Sequence, residues 1–238
     1  SPRMNSRTFT ARAICCFFLP GGVFFAAEPG MVFIPGGEFS RGRTYDWPDT
    51  KLIWYPNPLK DDLPVRKISI DPIYMDESEV TNQRYAGFVK ATHHKPPYQW
   101  RNGEIPKGME ARPVINVSWD DGARFCAWEG KRLPTEAEWE FAARGGLAEA
   151  AFPWGDELEP GGEHRMNVWQ GEFPNANTLA DGYYGTCPVD AFEPNGYGLY
   201  NATGNVWEWT ADWFDPAFRA RDRPTDPAGP PTGTHRIQ

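Results

Sequence analysis

Between Asn167 and Phe214 the chain places Asn, Asp, Gly and Trp at a density that regular helices and strands do not use. The chemistry on offer there is that of hard oxygens. Asn and Asp turn the chain and present carbonyl and carboxylate oxygens, while Gly lets backbone carbonyls swing inward. Two clusters stand out. Asn167 and Asp181 lie in a stretch without helical or strand periodicity, where neighbouring backbone carbonyls could complete an oxygen shell. Asn201, Gly204, Asn205 and Glu208 form the second, with side-chain oxygens around a glycine. Calcium is the ion that takes such ligands, but Asx turns and side-chain caps use the same residues without a metal. The residues alone leave both readings open. An EF-hand is excluded, because Asn175, Asn177 and Asp181 do not keep its spacing.

Other familiar chemistries are absent. There is no HExxH, no Gly-Lys-Ser/Thr phosphate loop, no GxSxG elbow and no CxxC. His93, His94, His164 and His235 are scattered, and the adjacent pair follows a predicted helix, where basic residues suit the C-terminal dipole. Asn116-Val-Ser118 and Asn201-Ala-Thr203 match the glycosylation triplet, but Ser118 is committed to a helix cap and Asn201 to a buried loop.

The elements that must position these residues are legible from periodicity and caps. Met31-Val-Phe-Ile-Pro-Gly-Gly-Glu-Phe-Ser reads as a strand, a turn and a second short strand. Tyr45 to Pro64 reads as a surface excursion, and Val65 to Met75 as one alternating strand. Thr81 caps a helix through Ala91 that sets Tyr85, Phe88 and Val89 on one face. Ser118, with Asp121 in the first turn, starts a helix that stops at Gly130. Thr135 and Glu138 form a capping box for a third helix, which runs to Arg144 before Gly145-Gly146. Turns, short strands and coil follow, and from Asp215 onward no core-forming run is visible.

The 238 residues suit one domain or at most two. Eleven Trp with 24 Gly and 24 Pro point to a loop-rich fold in which indoles supply the buried area. A net charge of −8 argues against binding a phosphate backbone, which needs clustered Lys and Arg. No apolar stretch is long enough for a spanning helix. From Met4, a basic start, the apolar run Ile14 to Ala27 and small residues at Ala26 and Ala27 read as an export signal, with Ser1 to Arg3 upstream of the true start. Residues 1–27 are therefore assigned to the leader and 28–238 to the mature domain. Cys15 and Cys16 leave with the signal, while Cys126 and Cys187 remain; Cys126 suits either a disulfide or a small core residue.

The chain resembles the formylglycine-generating enzyme, or sulfatase-modifying factor, family over Met31 to Gly233. The carriers are MVFIPGGEFSRG, YMDESEVTNQRYAGFV, PVINVSWDDGARFCAWEGKRLPTEAEWEFAARGG, FPWGDE, PVDAFEPNGYGLYN and GNVWEWT. The resemblance implies a single irregular α+β domain, C-type-lectin-like in outline. It implies an exported oxidase that uses dioxygen and copper to convert the cysteine of a Cys-x-Pro-x-Arg-like motif in a sulfatase polypeptide to Cα-formylglycine. It further implies two structural calcium ions. One shell carries over to Asn167, Val168, Asp181 and Tyr183, and the other to Asn201, Gly204, Val206 and Glu208, with Val168, Tyr183, Gly204 and Val206 acting through carbonyls. Trp207 matches an indole lining the active site.

Two departures temper the resemblance. The family's copper-binding cysteines follow a Gly-Gly-Ser that should begin just after Pro230-Pro231-Thr232-Gly233, so the domain is expected to be incomplete at the C-terminus and inactive as it stands. The same expectation places the disulfide partner of Cys126 beyond Gln238. The connection from His93 to Arg112, with Trp100, is short where the animal enzymes carry an insertion that helps form the substrate groove. A rival reading is a non-catalytic relative that binds peptide or glycan, distinguished by a complete domain without the cysteine pair. A further rival, another oxidative chemistry on iron, would need clustered histidines.

Overall fold

Pro35-Gly36 interrupts the first apolar run and Asp71-Pro72 the second, at the same level of one antiparallel ribbon. This computed structural model describes residues 12–14, 17–18, 29–42 and 63–238. Its strands are β1 (Arg12–Ile14), β2 (Phe17–Phe18), β3 (Met31–Ile34), β4 (Gly37–Arg41), β5 (Arg66–Ile70), β6 (Ile73–Asp76) and β7 (Trp207–Trp209). β3 pairs with β6 and β4 with β5, both antiparallel, with Ile34 opposite Ile73 and Gly37 opposite Ile70. The single strand expected over Val65 to Met75 is thus two. Pro72 has no N–H to give to a ladder, and both halves of the ribbon turn there. Gly36, at φ +70°, permits the close approach: a Cβ there would stand 2.5 Å from the carbonyl oxygen of Ile70.

The three helices form where their caps predict. α1 (Asn82–Thr92) starts at Thr81, whose hydroxyl accepts from Arg84 N at 3.1 Å. α2 (Trp119–Trp128) and α3 (Glu136–Ala143) each open with a reciprocal capping box, Ser118 with Asp121 and Thr135 with Glu138. α2 ends two residues before Gly130, and α3 one before Arg144. His93 adopts the left-handed cap of α1 at φ 56°, and His94 turns back to Asp121 at 2.8 Å.

Two cores result. Tyr85 and Phe88 of α1, Phe125 of α2 and the indoles of Trp100 and Trp209 fill one. The isoleucines of the ribbon and Phe141 of α3 fill the other. Trp100 is therefore a core side chain, its indole N–H donating to Asn82 Oδ1 at 3.1 Å. Asp76, at the end of β6, joins the cores: Arg84 reaches it at 2.8 Å and Lys131 at 2.7 Å.

β1 runs parallel to β7, and β2 pairs with β6. The rest of the segment read as an export signal, including Cys15 and Cys16, and nearly all of the Tyr45 to Pro64 excursion lie outside the described residues. Cys126 is wholly buried and disulfide-bonded. Cys187 is a buried free thiol. No helix among the described residues is long and apolar enough to cross a membrane.

Candidate functional site

Between α3 and β7 the described chain contains only one short 3-10 turn, so side chains must hold the loops. They do so mainly through amides. Asn167, buried, donates from Nδ2 to Gly185 O at 2.7 Å and to Asn205 Oδ1 at 3.0 Å. Asn205 N donates to Asn167 O at 2.8 Å. The two oxygen clusters singled out in the sequence are therefore neighbours. Gly204, at φ +84°, sits at the join: a Cβ there would stand 2.8 Å from the Asn167 carbonyl oxygen.

In the first cluster Asp181 gathers the backbone. Its Oδ2 accepts from Val168 N and its Oδ1 from Tyr183 N, both at 3.0 Å. These are the residues whose carbonyls were expected beside it, and each carboxylate oxygen keeps lone-pair capacity for another partner.

The second cluster is more enclosed. Asn201, 8% exposed, donates from Nδ2 to Val189 O at 3.0 Å and to Glu79 Oε2 at 3.2 Å. Its Oδ1 is buried with no hydrogen-bond partner. Such an orphaned acceptor costs about 1–3 kcal/mol unless something else engages it. Glu208, on β7 and buried, accepts from the Trp139 indole of α3 at 2.8 Å. Val206 directly precedes that strand. Amide, carboxylate and carbonyl oxygens without sulfur or imidazole suit a hard cation, and among the described residues no group of three or more His, Cys, Asp or Glu is placed to hold a metal.

Beside the clusters opens a cleft of about 1070 Å³. Trp207 lines it and is 57% exposed, although the next two residues of β7, Glu208 and Trp209, are buried. The deeper wall is ionic. Arg41 and Arg219, both buried, pair with Glu136, and Arg144 pairs with Glu140 at 2.7 Å. Burial pushes the Asp212 carboxyl up to about 7, against the pull of the Glu136 N–H that it accepts at 2.8 Å.

The sequence reading missed this wall and it missed Glu79. Glu136 and Glu140 were helix residues near a capping box, and Arg219 and Asp222 lay in a segment with no apolar run. Arg219 and Asp222 are buried, and Glu136 and Glu140 half-buried, among ion pairs that hydrophobic patterning cannot register. Glu79 is fully buried between β6 and α1. Burial and then the Glu208 charge hold its carboxyl well above the usual range.

The sequence model of the family described as "Sulfatase-modifying factor enzyme 1-like domain" matches residues 24–234. A Streptomyces coelicolor protein named "Formylglycine-generating enzyme" is 40% identical over an alignment covering 89% of this chain and 79% of that protein. A Mus musculus protein named "Inactive C-alpha-formylglycine-generating enzyme 2" is 36% identical, with 81% of this chain and 71% of that protein covered. Among solved structures, the Treponema denticola variable protein 1 superposes with a TM-score of 0.60 at 23% identity, covering 87% of this chain and 81% of that one. At that identity the likeness shows the fold, the irregular C-type-lectin-like α+β domain.

Proposed function

The chain belongs to the sulfatase-modifying factor enzyme 1-like family, and on that premise we propose that it serves sulfatase maturation as a formylglycine-generating enzyme, its partner a sulfatase polypeptide with a Cys-x-Pro-x-Arg-like motif. The observation that carries this reading is the exposed Trp207 on the cleft. An indole left half in water beside a buried strand is a ready apolar surface for an extended peptide. Carboxylates outnumber guanidiniums in the lining, with Asp212, Asp215 and Asp222 among them, which suits a basic residue in the bound segment.

The two oxygen clusters are the proposed calcium sites, with Asn167, Val168, Asp181 and Tyr183 holding one ion and Asn201, Gly204, Val206 and Glu208 the other. Their part is structural: the ions would hold the loops behind the cleft in place. Glu208→Gln is expected to weaken calcium affinity on the order of tenfold, because ligand charge sets calcium affinity. Glu193→Gln, an exposed position outside both shells, should leave it unchanged. Calorimetric titration checks both, and equal effects would sink the assignment of Glu208.

Copper is different. Cu(I) calls for thiolates, and the described residues do not fit it. Cys126 is already disulfide-bonded, and burial, with the Glu79 charge, pushes the Cys187 thiol up to about 12. We therefore route no step through copper. The 36% identity to a relative named as inactive supports a second reading, a non-catalytic relative that binds peptide or glycan through the same cleft. Either is proposed to be exported, on the basic start and apolar run within residues 1–27.

One assay separates the readings. The full-length gene product, including whatever is encoded past Gln238, is incubated with copper, dioxygen and a peptide carrying the motif, and aldehyde formation is followed by mass spectrometry alongside peptide binding. Aldehyde supports the enzyme; binding without aldehyde supports the relative. In both cases Trp207→Ala should weaken peptide binding about tenfold. If it does not, the peptide lies elsewhere.

A further inference from the structure

One carboxylate touches the second oxygen cluster directly and reaches the first through a single amide. Glu79 Oε2 accepts from Asn201 Nδ2 at 3.2 Å, and Glu79 Oε1 accepts from Asn205 Nδ2 at 2.9 Å. Asn205 in turn accepts at Oδ1 from Asn167 Nδ2 at 3.0 Å and from Cys187 N at 2.9 Å. An amide side chain has one donor end and one acceptor end, so fixing the donor end decides where the oxygen points. With Nδ2 of Asn201 held by Glu79 and Val189 O, its Oδ1 can only face the other way, and that is the buried oxygen without a partner. With Nδ2 of Asn167 held by Asn205 and Gly185 O, the Asn167 oxygen is fixed in the same manner.

Glu79 lies on neither shell, and no cation is needed to explain its hydrogen bonds. Yet a wholly buried carboxylate facing the charge of Glu208 is costly. A role that uses both of its oxygens accounts for its position.

We propose that Glu79 is the positioning residue for both cation sites. Through Asn201 on one side and through Asn205 and Asn167 on the other, it aims one amide oxygen into each shell. Asn205 is the link, so the two sites fill together and not independently. This inference rests on the calcium reading above.

The test uses the 238-residue protein and calcium chloride, read by calorimetry and by terbium luminescence excited through Trp139, whose indole touches Glu208. The unaltered protein should take up two ions in one cooperative step. Glu79→Gln replaces one acceptor with a donor at constant size. It should lower affinity at both sites about tenfold or more, as loss of a hydrogen bond to a charged group implies, and spread the single step into two. The double variant Glu79→Gln/Asn205→Asp reverses donor and acceptor across the pair, with the same net charge as the parent. It should recover affinity to within about threefold of the parent, a rescue that loss of general folding would not show. Circular dichroism at saturating calcium confirms that each variant is folded.

Two tight sites in the parent with an unchanged Glu79→Gln variant would overturn the positioning role alone. A loss at only one site, or a double variant as weak as the single one, would overturn it as well. A parent that binds no calcium would overturn both this role and the calcium reading beneath it.

Discussion

Chelating calcium should lower the melting temperature by about 10–20 °C. Two sites held near a hundredfold above their dissociation constants contribute roughly 5 kcal/mol together, and for a chain of this size each kcal/mol is worth about 2–4 °C. The effect concentrates in the long stretch between α3 and β7. That stretch has almost no ladder of its own and is fixed by Asn167, Asp181, Asn201 and Asn205. With the ions gone, Asn201 Oδ1 stays buried and unpaired, and the buried Glu79 carboxyl still feels the Glu208 charge. Thermal melts in EGTA, in calcium and in magnesium at matched ionic strength give the comparison. A transition that does not move would end the claim that calcium is structural here.

Glu136→Gln should cost about 3 kcal/mol, or roughly 6–12 °C. Glu136 receives both Arg41 and Arg219, whose side chains are 5% and 6% exposed, while its own is 21% exposed. A neutral amide in its place leaves two buried guanidiniums short of charge, and removing one partner of a buried set is the expensive case. The exposed pair Lys67–Glu38, at 3.0 Å with side chains 73% and 67% exposed, supplies the contrast. Glu38→Gln should change stability by less than about 1 kcal/mol, since water and salt screen such pairs. Denaturant unfolding of the two variants side by side reads the difference. Equal small losses would mean that water reaches the ionic wall of the cleft and screens it.

Most of the local architecture was legible in the chain. Thr81, Ser118 and Thr135 announced three helices because a cap is a bond between residues three apart. Val65 to Met75 was misjudged for an instructive reason. Alternation survives on both sides of Asp71-Pro72, but the two halves pair with different strands, and which strand a residue faces is not a local property.

The candidate site divides along the same line. The sequence by itself determined the donor types: Asn, Asp, Glu and Gly crowded where no periodicity competes, which is why both oxygen clusters could be named. Only the tertiary structure decided that the clusters adjoin, that Trp207 faces a cleft and that Glu79 joins Asn201 to Asn205. Glu79 meets Asn201 across 122 positions and Asn205 across 126, while Arg41 meets Glu136 across 95. Buried polar groups seek partners wherever the fold brings them. Their identity follows from packing the two cores against each other, and no pattern of spacing along the chain encodes it.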